Sequence, residues 1–240
     1  MTVIVVRRDD NFSQMLRDAD IDVNNIELVT TEVLDDLSEF ENSLASLDSY
    51  DGIFFTSPVA ALVFIDRIEP RLKPTLYALG KRAAAALSQA GFVVRTIPGA
   101  NTAHEMLTAF GEEEFAGKDL LFVRGEHSMR TIPEKLAGIA DIDEIAVYRT
   151  IEVELAEQLE SDIRTRLTSG QVELACFFSP SAVEAFEKRF GASVSAAAIG
   201  ETTAARAREL GFTVELVASQ ATNHVFAREL IEILQRKQIV

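Results

Sequence analysis

The sequence predicts an α/β protein built from two similar parallel-sheet domains of Rossmann-like or flavodoxin-like type, joined by a two-stranded β-ladder linker, with a cleft between them. The first observation behind this is a long internal repeat. FFTSPVAALVF at 54–64 returns as CFFSPSAVEAF at 176–186, with Ser57/Ser179, Pro58/Pro180, Ala60/Ala182 and Phe64/Phe186 each 122 positions apart. ALGKRAAAALSQAGF at 78–92 returns as AIGETTAARARELGF at 198–212, with Gly80/Gly200 and Gly91/Gly211 each 120 apart, and Thr102 and His104 return as Thr222 and His224. Such a period is too long for a solenoid and matches an ordinary domain. The second observation is the alternation of short apolar runs with helical patterns, which gives a parallel sheet with right-handed crossovers. The third is the chain's opening: Val3-Ile4-Val5-Val6-Arg7 resembles Leu120-Leu121-Phe122-Val123-Arg124, 117 positions on. The first βα unit therefore belongs with the last half of the chain, and the middle forms the other domain.

The runs at 3–6, 52–55, 76–79, 93–97, 120–123, 174–178, 196–199 and 213–217 have the length and β-branched content of strands covered on both faces. Between them, 59–68, 82–90, 103–110, 132–136, 182–189, 203–210 and 223–236 repeat apolar residues at helical spacing. Gly91 and Gly211 read as residues that stop helices just past their last turn. Two further segments, IELVTTEV at 26–33 and IAVYRTIEV at 145–153, alternate apolar with polar residues as a ribbon would. Placed as linkers, they divide the chain into 1–30 plus 152–240 and an inserted domain over 34–146.

Composition excludes several classes. The chain of 240 residues is 48% apolar, enough for a sizeable core, and has no apolar run long enough to cross a bilayer. In MTVIVVRRDDNF the basic pair follows the apolar run, the wrong order for a signal peptide, so a cytoplasmic location is expected. The single cysteine, Cys176 in LACFF, excludes an internal disulfide and a thiolate cage and reads as a buried structural thiol. With 38 acidic against 23 basic residues, the formal charge of −15 repels nucleic acid and anionic lipid. A monomer is expected, since no heptad seam or long exposed apolar strand stands out.

Open parallel sheets bind ligands beyond the carboxyl ends of their strands. The turns there are Thr56-Ser57-Pro58, Leu79-Gly80, Arg124-Gly125-Glu126, Ser179-Pro180-Ser181 and Gly200-Glu201-Thr202-Thr203. A hydroxyl in such a turn caps the helix that follows, and free backbone N–H groups can hold a carboxylate or phosphate. Taken singly, each is also an ordinary helix start. Arg7, Arg124 and Arg130 are candidates to grip a carboxylate with two N–H groups. His104, His127 and His224 lack metal-pair spacing and read as structural or surface residues, and no G-x-S-x-G, Walker A or G-x-G-x-x-G pattern appears. The acidic groups Asp35-Asp36, Glu112 to Glu114 and Asp141 to Glu144 read as solvated loops and helix ends.

Nearly the whole chain resembles the uroporphyrinogen-III synthase family. The matching motifs are FTSP at 55–58, LG at 79–80, VRG at 123–125, VY-x-T at 147–150, FSPSAV at 178–183 and IGETTA at 199–204, the last three being the most specific. Two loops depart from the pattern: Ala83 stands where the family often has a capping threonine, and Ser128-Met129 replace glycine before Arg130. The resemblance implies a cyclising lyase of heme biosynthesis with hydroxymethylbilane as substrate, handed over by hydroxymethylbilane synthase. It implies loss of hydroxide to an azafulvene-type cation, a spiro intermediate and closure to uroporphyrinogen III with ring D inverted. It further implies no cofactor, metal or covalent nucleophile, since the pyrroles supply the electron push. Substrate carboxylates would be held at Thr56, Ser57, Gly80, Gly125, Ser179, Ser181, Gly200, Thr202 and Thr203, helped by Arg124 and Arg130, and Tyr148 would assist the leaving hydroxide. From the residues alone, a hinge-type binding protein and a nucleotide-sugar transferase stay open.

Overall fold

The computed structural model describes residues 1–238. In chain order its strands are β1 (Thr2–Val5), β2 (Asp22–Asn25), β3 (Val29–Val33), β4 (Gly52–Phe55), β5 (Thr75–Ala78), β6 (Val94–Arg95), β7 (Asp119–Gly125), β8 (Asp141–Glu152), β9 (Val172–Phe177), β10 (Ser195–Ala198) and β11 (Val214–Val217). Its helices are α1 (Asn11–Arg17), α2 (Ser38–Ala45), α3 (Pro58–Ile65), α4 (Lys81–Gln89), α5 (Ala103–Phe110), α6 (Thr131–Lys135), α7 (Glu157–Thr168), α8 (Pro180–Phe190), α9 (Glu201–Glu209) and α10 (Asn223–Gln238). The chain divides into two compact units. One is Met1–Thr30 with everything from Ile151 on, and the other is Thr31–Thr150. We call them the outer and the inserted unit.

The outer unit holds a five-stranded sheet in the order β11-β10-β9-β1-β2. The opening strand lies between β9 and β2, parallel to both, with Val5 opposite Cys176 on one side and Asn25 on the other. Alternation along the strands sends side chains to opposite faces. Val3, Val5, Leu174 and Cys176 join Phe12, Phe226 and Leu230 on one face, while Ile4, Val6, Ala175 and Phe177 join Phe186, Ala207 and Phe212 on the other. Every one of these residues is buried. Burial drives the Cys176 thiol pKa well up, so it packs as a small apolar group, as expected from LACFF.

The inserted unit holds a six-stranded sheet in the order β3-β8-β7-β4-β5-β6. Ile53, Phe55, Leu121 and Val123 face one layer of helices, and Phe54, Tyr77, Leu120 and Phe122 face the other. The strands β4, β5, β6, β7 and β8 run parallel. β3 is laid antiparallel to β8: Leu34 N–H donates to Val147 O at 3.1 Å, and Val153 N–H donates to Leu28 O at 2.9 Å. The chain leaves and re-enters the outer unit through these two strands, after Thr30 and after Thr150.

Several expectations need correction. Residues 141–144 form the start of β8 rather than a loop. There Asp143 accepts from the Tyr50 hydroxyl at 2.6 Å, and Glu144 is largely covered, with its side chain 16% exposed. Glu114 is likewise no solvated residue. It accepts from the Tyr77 hydroxyl and the Arg95 guanidinium, each at 2.5 Å, and from Lys118 at 3.3 Å. The bonds from Arg95 and Tyr77 outweigh partial burial and hold its carboxyl down at about 2. α1, α2, α7 and β2 are elements that the apolar pattern did not announce. Among the described residues, no helix is long and apolar enough to cross a membrane.

Candidate functional site

Because all strands but β3 run parallel within their sheet, the turns leaving them gather along one edge of each unit. In the inserted unit, β4 ends at Phe55 and Thr56-Ser57 lead into α3. Ser57 is the N-cap: its backbone is extended and its Oγ accepts from Val59 N–H at 3.1 Å, with Pro58 at the first helical position, where no N–H is needed. β5 ends at Ala78, and Gly80 caps α4 with φ +82, in open space with no neighbour within 4 Å of an added Cβ. A positive φ is costly for any other residue, so Gly80 bends the turn and leaves the first N–H groups of α4 uncovered by a side chain.

The third turn of this unit is built differently. The β7–β8 register slips between Arg124 and Gly125, which brings Gly125 opposite Tyr148. Arg124 does not reach outward as the sequence suggested. Its Nη1 donates to Gly125 O and Glu126 O, both at 2.9 Å, and its Nε lies 3.1 Å from Glu144 Oε2. Those last two atoms are buried and meet as charges at an angle short of a hydrogen bond. Arg130 is more exposed, at 64%, and holds the other oxygen of Glu144 at 2.7 Å. Ser128 Oγ accepts from Gly125 N–H at 3.0 Å. Two arginines thus share one carboxylate, and Arg130 is the one left with donors facing solvent. α6 is only five residues long and is capped by no side chain, so it adds little dipole. Tyr148 lies half-buried against the adjoining apolar layer, and among the described residues its hydroxyl has no hydrogen-bond partner.

The outer unit repeats the first two turns. Ser179 caps α8, its Oγ accepting from Ala182 N–H at 3.2 Å and lying 3.0 Å from Ser181 Oγ. Gly200 caps α9 from an extended backbone, again without a side-chain bond. Thr202 and Thr203 are therefore not caps, as the sequence had suggested, but second- and third-position helical residues, Thr202 exposed and Thr203 buried. Ala83, equally buried, occupies the same place in α4. At the third turn Arg7 stacks over the Phe178 ring, 4.0 Å from its centroid. It also pairs with Asp10 and donates to Asn223 Oδ1 at 3.3 Å. The aromatic and amide partners on α10 and beside Ser179 were not legible from the motifs. His104, His127 and His224 are exposed.

Each unit thus offers one serine-capped helix start, one that no side chain caps, and an arginine-bearing turn, an arrangement suited to carboxylates. Comparison with known proteins agrees with this layout. A uroporphyrinogen-III synthase from Chlorobaculum parvum is 28% identical over 208 residues, 80% of this chain and 83% of that protein. A mutant uroporphyrinogen III synthase from Thermus thermophilus superposes with TM-score 0.68 at 18% identity, covering 98% of this chain and 99% of the other. Uroporphyrinogen-III synthetase from Helicobacter pylori gives TM-score 0.65 at 16% identity over 97% and 100% of the two chains. At those identities the two structures speak for the shared fold. The family described as uroporphyrinogen-III synthase HemD matches residues 10–226, and this chain belongs to it.

Proposed function

We propose that the chain cyclises hydroxymethylbilane to uroporphyrinogen III with inversion of ring D, acting as a cyclising lyase in tetrapyrrole biosynthesis. One observation carries this reading, the family match over residues 10–226. The substrate brings an acetate and a propionate on each ring, and the turns described above supply N–H groups and hydroxyls to receive them. Thr56, Ser57 and Gly80 do so in the inserted unit. Ser179, Ser181, Gly200 and Thr202 do so in the outer unit, with Thr203 supporting the first turn of α9 from below. Arg130, the exposed member of its ion triad, takes a carboxylate directly, whereas Arg124 acts by fixing the loop at Gly125.

The reaction loses water and forms one carbon–carbon bond in closing the ring. Departure of the hydroxymethyl oxygen is driven by the pyrrole nitrogen; the Tyr148 hydroxyl donates a proton so that it leaves as water, and the proton that ring D's free α-carbon gives up on final closure restores the phenol. Attack by the substituted carbon of ring D gives the spiro intermediate, and fragmentation and reclosure invert that ring. Confining a flexible chain to one closure accounts for most of the catalysis.

Freshly prepared hydroxymethylbilane is the test substrate. After incubation and oxidation, the type III isomer should dominate the products over type I. Type I alone, at the uncatalysed rate, would overturn the reading, and binding without type III would favour a carrier of linear tetrapyrroles.

A further inference from the structure

We infer that Gly125 is a positioning residue: it is the seat on which the Tyr148 ring lies, and it sets where the phenol hydroxyl points. The inference deepens the proposed function and rests on its reading of Tyr148. A glycine is called for either by backbone conformation or by space. Gly125 is not among the glycines with positive φ, so conformation does not require it. Space does. A Cβ at Gly125 would stand 2.6 Å from Tyr148 Cζ, 2.8 Å from Cε2 and 2.9 Å from Oη, and its three nearest neighbours would all belong to that one ring.

The seat is fixed from both sides. Gly125 N–H donates to Ser128 Oγ at 3.0 Å, and Gly125 O accepts from Arg124 Nη1 at 2.9 Å and Ser128 N–H at 3.1 Å. The Tyr148 backbone is tied to the same loop, its carbonyl accepting from Glu126 N–H at 2.9 Å. With both backbones held, the movable part is the ring. Its hydroxyl has no hydrogen-bond partner among the described residues, so packing on Gly125 is what orients it. The other glycine under a tyrosine, Gly52, is a different case. A Cβ there would meet Leu120 Cδ2 at 3.0 Å and Thr75 O at 3.4 Å as well as the Tyr77 ring at 2.8 Å, and the Tyr77 hydroxyl is fixed independently by Glu114. The repeat supports the contrast. By the 117-residue offset that pairs Arg7 with Arg124, the outer unit has Arg8 in the place of Gly125, and that unit has no tyrosine to seat.

The chain's three tyrosines, Tyr50, Tyr77 and Tyr148, make the test direct. With ring-labelled tyrosine, the Tyr148 signal is identified by its disappearance in Tyr148→Phe. In Gly125→Ala that signal should shift while the other two stay in place. Turnover should fall at least about tenfold with KM within about threefold, because displacing one positioned group by an ångström costs rate more than binding. Gly125→Ala/Tyr148→Phe should be no slower than Tyr148→Phe. An unmoved Tyr148 signal, or losses that multiply in the double variant, would overturn the inference. Full turnover in Tyr148→Phe would instead sink the role given to Tyr148, and the signal in Gly125→Ala would still decide the seat. Should Gly125→Ala prove unstable, its loss of stability should largely vanish in a Tyr148→Ala background. An equal loss in both backgrounds would show that the ring is not the constraint.

Discussion

Laid side by side, the two units use the same sheet cut open at different places. The outer order β11-β10-β9-β1-β2 and the inserted order β6-β5-β4-β7-β8 match slot for slot. The chain reaches the fourth slot first in one unit and late in the other. In the outer unit, the sequence order along the sheet is the flavodoxin-like one. The lesson is that the sheet slot, not the order along the chain, carries the role: β1 and β7 both end in an arginine turn beside a Ser-Pro helix start. The side chains then break the symmetry. Gly80, at φ +82, is followed by Lys81 and Arg82, whereas Gly200, at φ −176, is followed by Glu201 and Thr202. Arg124 closes on Glu144, and Arg7 lies on Phe178. Equal strand orders thus carry unequal turns, which differ in charge and, at the two glycines, in backbone.

The buried clusters of the two units share no residue. Val5 is fully buried on β1 among residues of the outer unit alone. Val5→Asp places an unpaired charge there and should cost about 4 kcal/mol or more. All three tyrosines lie in the inserted unit and the chain has no tryptophan, so tyrosine fluorescence reports that unit by itself. Far-UV circular dichroism should show early loss of helix in Val5→Asp while the tyrosine transition keeps its midpoint. A tyrosine transition shifted by the same amount would show one cooperative body.

Most of the sheet was legible because its central strands are short, largely apolar and bounded by turns. β4 appears at its predicted place, and β9 within two residues of it. The opening strand was assigned to the far half by its likeness to β7 together with the two ribbon-like linkers at 26–33 and 145–153. What escaped notice were elements with little to bury. α7 covers only Ile163 and α2 only Phe40, so neither carries an apolar stripe, and edge strand β2 reads DVNN. The site was legible where a motif implies local geometry, as at Ser57 and Ser179. It was not legible where a distant residue decides the outcome: nothing near Arg124 in sequence announces Glu144, 20 positions away across a strand pair. Thr203 misled because a threonine after a glycine resembles a cap, yet here the glycine holds that position.

A second prediction concerns the sheet edge. The inserted unit joins β5, β6 and the turn at 112–114 through Tyr77, Arg95 and Glu114. At the corresponding edge of the outer unit, Glu215 is bound by Lys237 at 2.7 Å, so the sign of the charge on the strand is reversed. Glu114 is depressed in the folded state to about 2 from an ordinary value near 4.5. Its contribution is therefore complete above the unfolded value and is lost as pH falls through the folded one. Glu114→Gln should melt below the parent protein at pH 7, and the gap should close between about pH 4.5 and pH 2. Tyr77 fluorescence follows this at the site itself. A gap independent of pH would mean that the charge on Glu114 contributes nothing.

The smallest expected effect is the most searching, because it concerns the two turns that look most alike. Ser57 Oγ accepts from the second N–H of its helix, at Val59, whereas Ser179 Oγ accepts from the third, at Ala182, and is also held by Ser181. Replacing either serine with alanine should cost about 1 kcal/mol of stability. If both turns serve only as caps, the two variants should differ from the parent in melting temperature and leave KM unchanged. If both receive carboxylates, each should raise KM for hydroxymethylbilane by several-fold, roughly the loss of one hydrogen bond to a charged group. Ser179→Ala should then be the milder in binding, since Ser181 Oγ remains to donate to the same carboxylate, while Ser57 has no neighbouring hydroxyl placed as Ser181 is. Restoring the gap by Ser179→Ala/Ser181→Ala, to or beyond the level of Ser57→Ala, would establish that the outer turn differs from the inserted one through that second hydroxyl. Equal KM values in all three variants would leave the turns as helix caps and move carboxylate recognition to the arginine loops.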